Sequence, residues 1–68
     1  MYDTIRIALD PDKLALAMAA KGYNTSKLAE VVGKSRMTVT TWLKARTLNP
    51  KQAGAIAKAL EVDVKELI

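Results

Sequence analysis

The chain contains no cysteine and no histidine. Without cysteine there is neither a disulfide framework nor a thiolate metal site. Without histidine the commonest general base and metal ligand is missing. There is no Gly-rich phosphate loop, and the acidic residues are scattered. Asp10 and Asp12 are best explained as helix-start residues. No enzyme activity, metal or cofactor is therefore expected. No apolar run approaches the roughly 18 residues of a membrane span. The first residues include Asp3 and Arg6 rather than a signal-peptide pattern. The absence of cysteine suits a reducing compartment, so a soluble cytoplasmic protein is expected, with no membrane partner. No internal repeat, low-complexity segment or linker is visible.

What remains is 68 residues, half of them apolar. That is one small domain, a size that buries only about 60% of its unfolded surface and folds on its apolar core alone. Net charge is +4, and its placement is uneven. Seven basic residues fall between Lys21 and Lys51 (Lys21, Lys27, Lys34, Arg36, Lys44, Arg46 and Lys51) against one acid, Glu30, for a local net of +6. The rest of the chain has a net of −2. Clustered positive charge attracts phosphate better than the same charge dispersed, although a solvated Lys-rich face is the ordinary alternative.

Hydrophobic spacing and capping residues divide the chain into short helices. In residues 1–9, Ile5, Ile7 and Leu9 alternate with Arg6 and Ala8, which predicts a short strand or an extended arm. Tyr2 is too near the terminus to place. Asp10-Pro11 starts a first helix that ends at Gly22. Leu14, Ala17 and Met18 face inward on it and Leu16 faces the other way. Asn24 caps a second helix, Thr25–Val32, ended by Gly33. Leu28, Ala29 and Val32 are its core residues. Ser35 caps a third, Arg36–Lys44, whose inner seam is Val39 and Trp42. Trp42 is expected in the core rather than stacked on a base. Tyr23 is expected to pack below the first turn. Asn49-Pro50 with Gln52 resembles a capping box and opens a fourth helix. Ala53, Ile56, Ala57 and Leu60 point inward on it, and Gly54 lies on its flank at a cost of about 1 kcal/mol relative to Ala. Asp63 with Glu66 suggests a last short helix. The expectation is an all-α, compact bundle of about five short helices, with an arm at 1–9 and the domain at 10–68.

Within it, Thr25 to Lys44 reads as two helices joined by a tight turn. The second of these has a polar outer face of Arg36, Met37, Thr38, Thr40 and Thr41. A helix-turn-helix that reads DNA needs this arrangement.

Residues 10–68 resemble the Cro/cI-type, or XRE-family, helix-turn-helix domains, which have the lambda-repressor-like fold. The resemblance rests on Leu14 and Met18, on "LAEVVGKSRMTVTTWL" from Leu28 to Leu43, on Asn49-Pro50, on "IAKAL" at 56–60 and on the closing "VDVKEL". Three positions depart from the usual pattern: Thr25 replaces a Gln, Lys34 replaces an apolar turn residue, and Lys44-Ala45 stands where Gly is common. The resemblance implies that the third helix lies in the major groove of double-stranded DNA. Base readout then falls to Arg36, Met37, Thr38, Thr40 and Thr41. Arg36 suits a bidentate contact to guanine or, alternatively, a phosphate. Met37 suits thymine methyl groups or a protein surface. Phosphate contacts fall to Asn24, Thr25, Lys34, Lys44, Arg46 and Lys51, helped by free N–H groups at the starts of the second and fourth helices.

Relatives bind near-palindromes as dimers, which implies a weak or DNA-induced homodimer through Ile5, Ile7, Leu16 or the residues after Leu60. A chain ending just after the DNA-binding domain favours a small repressor or lysis–lysogeny switch component. The alternative is a protein-interaction module on the same fold, an antirepressor or antitoxin that binds a partner repressor or toxin.

Overall fold

A computed structural model describes residues 5–68. The first four residues of the expected arm, Tyr2 among them, lie outside the described residues. Helix α1 spans Pro11–Lys21, α2 Thr25–Val32, α3 Arg36–Lys44 and α4 Pro50–Leu60. The expected fifth helix is a single 3-10 turn, Val64–Glu66.

Each α-helix begins where a side chain replaces missing backbone acceptors. Asp10 accepts from the N–H groups of Asp12 and Lys13. Asn24 accepts from Lys27, and Ser35 from Thr38. Asn49 and Gln52 satisfy each other's backbone N–H groups reciprocally. Helix α2 ends at Gly33 (φ 83°), in the left-handed region that glycine enters without steric cost. Gly33 is itself exposed, so its contribution is to the backbone and not to core packing. Helix α3 leaves through Ala45 in extended backbone (φ −71°, ψ 143°), a conformation open to any residue. That is why no glycine is needed there.

Helix α2 packs on α3 and α4, while α1 and the 3-10 turn pack on α4. The fully buried side chains at the centre are Val39, Leu28, Ile56, Leu60 and Leu67. Leu14, Ala29, Ala53 and Ala57 complete the centre, and Met18, Tyr23, Val32 and Trp42 pack half-buried around it. Leu48 is also in the core. It directly precedes the cap Asn49, and Ala53, at the fourth helical position, is buried as well, the placement of a hydrophobic staple.

Of the short strand or extended arm expected before α1, the described residues form the arm and no strand. Ile7 makes one isolated antiparallel bridge with Leu48. Arg6 donates from Nε to the Thr47 hydroxyl at 3.1 Å and from Nη2 to the Thr47 carbonyl at 3.0 Å. The segment before α1 is thus fastened to the α3–α4 loop. Ile7 packs against the core, which withdraws it from the free surface proposed for it. Ile5 and Leu16 stay exposed, at 48% and 69%.

Candidate nucleic-acid interface

Helix α3 presents its outer face because its inner residues are spent on packing. Val39 is buried, and Trp42 and Leu43 lie half-buried against the core. On the other side Arg36, Met37, Thr40, Thr41 and Lys44 line one broad, open concavity of about 560 Å³. Four of the five residues expected to read bases thus share a surface with one expected phosphate contact. Met37 is 80% exposed, with no packing role.

Thr38 is the exception. It is half-buried, and the Ser35 hydroxyl donates to its Oγ1 at 2.8 Å while its N–H donates to Ser35 Oγ. Its side chain completes the helix start rather than lining the concavity. The Thr41 hydroxyl donates to the Met37 carbonyl at 3.0 Å, one turn back. That bond commits its proton to the helix and leaves the hydroxyl an acceptor beside its methyl group.

The expected phosphate contacts form more than one group. Lys44 belongs to the α3 concavity. Lys34, Asn49 and Lys51 line a second hollow of about 240 Å³ with Trp42, Gln52 and Ala55. Arg46 is exposed in the α3–α4 loop, and Asn24 and Thr25 stand at the start of α2. The N–H groups of Thr25 and Ser26 make no hydrogen bond to the described residues, whereas the Asn24 side-chain Oδ1 already accepts from the Lys27 N–H. At α4 less is free than expected. The capping box uses the Asn49 and Gln52 N–H groups and Pro50 has none, which leaves that of Lys51.

Electrostatically the face is uncompensated. The ion pairs among the described residues are Lys21–Glu61 and Lys27–Glu30. Neither involves Lys34, Arg36, Lys44, Arg46 or Lys51. A surface with unpaired guanidinium and ammonium groups around hydroxyls and one thioether suits a polyanion that carries apolar methyl groups on its edges. It offers no nucleophile–base pair, and among the described residues no three of His, Cys, Asp or Glu cluster as metal ligands would.

A family model for the Cro/C1-type helix-turn-helix DNA-binding domain matches residues 13–68. No curated protein sequence matches the chain. Among solved structures, a point variant of hydroxyethylphosphonate dioxygenase is similar at 31% identity and a TM-score of 0.72, covering 91% of this chain and 14% of that one. PhpD with cadmium atoms is similar at 31% identity and a TM-score of 0.71, with 91% and 13% covered. The chain thus spans about one seventh of the length of these neighbours.

Proposed function

The chain belongs to the Cro/C1-type helix-turn-helix DNA-binding domain family, and from that footing we propose that it is a sequence-specific regulator of transcription. Helix α3 enters the major groove, where each base pair displays a distinct set of donors, acceptors and methyl groups. The observation that supports this reading above others is the α3 concavity, in which Arg36, Met37, Thr40, Thr41 and Lys44 converge with no carboxylate. Arg36 reads a guanine edge. Met37 and the methyl groups of Thr40 and Thr41 pack on thymine methyls. Lys44 and Arg46 meet phosphates on one side, and Thr25, Lys34 and Lys51 meet them on another. Occupying a promoter in this way blocks polymerase, the action of a small repressor.

The regulator acts as a homodimer that forms weakly or only on DNA, because one module makes few base contacts and a two-fold site doubles them. Its surface is the outer side of α1, where Ala15, Leu16, Ala19 and Ala20 are all exposed, together with Ile5. Among the described residues no helix is long and apolar enough to cross a membrane. The dioxygenase activity named for the larger neighbours belongs to chains about seven times longer and is not assigned here.

Selection of random duplex DNA on the purified protein at about 100 mM salt, with R36A alongside, tests the reading. An enriched near-palindrome that relaxes at one position in R36A supports it. Salt-sensitive binding with no enriched sequence rejects sequence-specific readout.

A further inference from the structure

The hollow beside Trp42 does not end at Trp42. It shares Ala55 with a second cavity of about 340 Å³ whose other lining residues are Val31, Val32, Lys58 and Ala59. Together they form one groove between the C-terminal end of α2 and the outer side of α4. Its floor is Trp42, Val32, Ala55 and Ala59, with Val31 standing 43% exposed at its edge. Its rim is Lys34, Lys51 and Lys58, and none of the described lining residues is acidic. The nearest acid along α2, Glu30, is directed to Lys27 at 3.6 Å.

We propose that this α2–α4 groove is a docking site for an acidic amphipathic helix of a partner protein. From Lys51 to Ala59 the groove follows about 12 Å of helix axis, or two turns. That length accepts three apolar anchors spaced i, i+4 and i+7, the pattern of helix-in-groove recognition. The lysines on the rim select carboxylates flanking those anchors and reject a basic helix. A nucleic acid fits only part of this surface. Phosphates suit Lys34 and Lys51, but the Val31–Ala59 end offers apolar floor that a sugar–phosphate backbone does not use. A helix seated along the whole groove covers Lys34 and Lys51, and so opposes DNA binding wherever those lysines hold phosphates. This last consequence rests on the function proposed above, whereas the docking site does not.

The single tryptophan supplies the signal. A peptide of about 14 residues, with leucines at i, i+4 and i+7 among glutamates and alanines, is titrated into the full chain without DNA while Trp42 emission is followed. Saturable binding is expected, absent for the same peptide with lysine in place of glutamate. V31E and K58E each place a carboxylate at the groove, and each is expected to weaken binding at least about tenfold while the helical circular dichroism is retained. K58E changes an exposed rim residue, so the test survives if V31E fails to fold. No saturable binding up to about 1 mM, or equal affinity in wild type and K58E, overturns the proposal. A separate titration against duplex DNA then shows whether peptide and DNA exclude each other. Simultaneous binding would leave the groove in place and remove Lys34 and Lys51 from the phosphate contacts.

Discussion

Ile7 and Leu48 exchange both of their main-chain hydrogen bonds, at 2.7 and 2.8 Å, across 41 residues of chain. With the two Arg6–Thr47 bonds beside them, they tie the segment before α1 to the loop that follows α3. That loop holds Arg46 and leads into the cap of α4, so the tie fastens the segment before α1 to the connection between α3 and α4.

I7P tests the tie. Proline removes the donor of one of the two bonds and leaves the Leu48 carbonyl without it. The loss is expected to cost at least about 1 kcal/mol, which in a domain of this size lowers Tm by about 4–8 °C. An unchanged Tm in thermal unfolding would show that the bridge contributes nothing.

Arg36 and Lys44 line the same concavity but have different expected consequences on DNA. R36A should cost about 1–3 kcal/mol on the preferred site and relax selection at one base. K44A should weaken all sequences alike and reduce the salt slope by about 1. Fluorescence anisotropy over a salt series separates the two. If both variants change only the slope, Arg36 is a phosphate contact.

Gly54 sits inside α4 with ordinary helical backbone, and a Cβ added to it meets nothing within 4 Å. Glycine there costs entropy without a steric reason. G54A is expected to stabilise the chain by about 0.5–1 kcal/mol and to raise Tm by several degrees. A lowered Tm would mean that the flank of α4 needs the bare backbone for a contact not made within this chain.

The starts of the helices were legible in the sequence because capping is local. Asp10, Asn24, Ser35 and Asn49 each bond a backbone N–H two or three residues on, within reach of any pattern reading. The convergence of Arg36, Met37, Thr40, Thr41 and Lys44 also follows from helical period alone. The alternation at Ile5, Ile7 and Leu9 states an extended conformation, which the segment has, but not its partner; Leu48 lies far along the chain and gives no periodic signal. Leu48 itself is an isolated apolar residue in a loop, and only its place before an Asn-Pro cap marks it. Thr38 was assigned to the outer face by spacing, yet a serine three residues earlier competes for its hydroxyl, which local hydrogen-bonding rules foretell. The half-exposure of Trp42 was beyond period analysis, which gives the direction a side chain points and not how fully its neighbours cover it.

Lys21 and Glu61 join the last turn of α1 to the residue that ends α4. The Lys21 ammonium also lies 5.7 Å from the centre of the Tyr23 ring. The hydrogen bond from Lys21 holds the Glu61 carboxyl below its ordinary 4.5. The same bond raises the Lys21 ammonium above its ordinary 10.5. A carboxylate with a lower pKa in the folded state stabilises it above the unfolded pKa, and that contribution is lost as pH falls through the folded value. An ammonium with a higher folded pKa stabilises below its unfolded value, and the contribution is lost as pH rises through the folded one. The pair is therefore fully effective between about pH 5 and pH 10 and fades on either side. Glu61 also has φ 58°, the left-handed region, so its removal must not alter the backbone cost. E61Q meets that condition, since Gln bears a side chain of the same shape without the charge. E61Q is expected to melt below wild type at pH 7, with the two curves converging as pH falls below the ordinary 4.5 and through the lower folded value. K21M should show the complementary convergence in alkali, and adding it to E61Q should lower Tm less than K21M does alone, because the ion pair is already broken and only the contact with the Tyr23 ring remains to be lost. A Tm difference that stays constant from acid to neutral pH would assign the effect of E61Q to packing at the end of α4 and not to the ion pair.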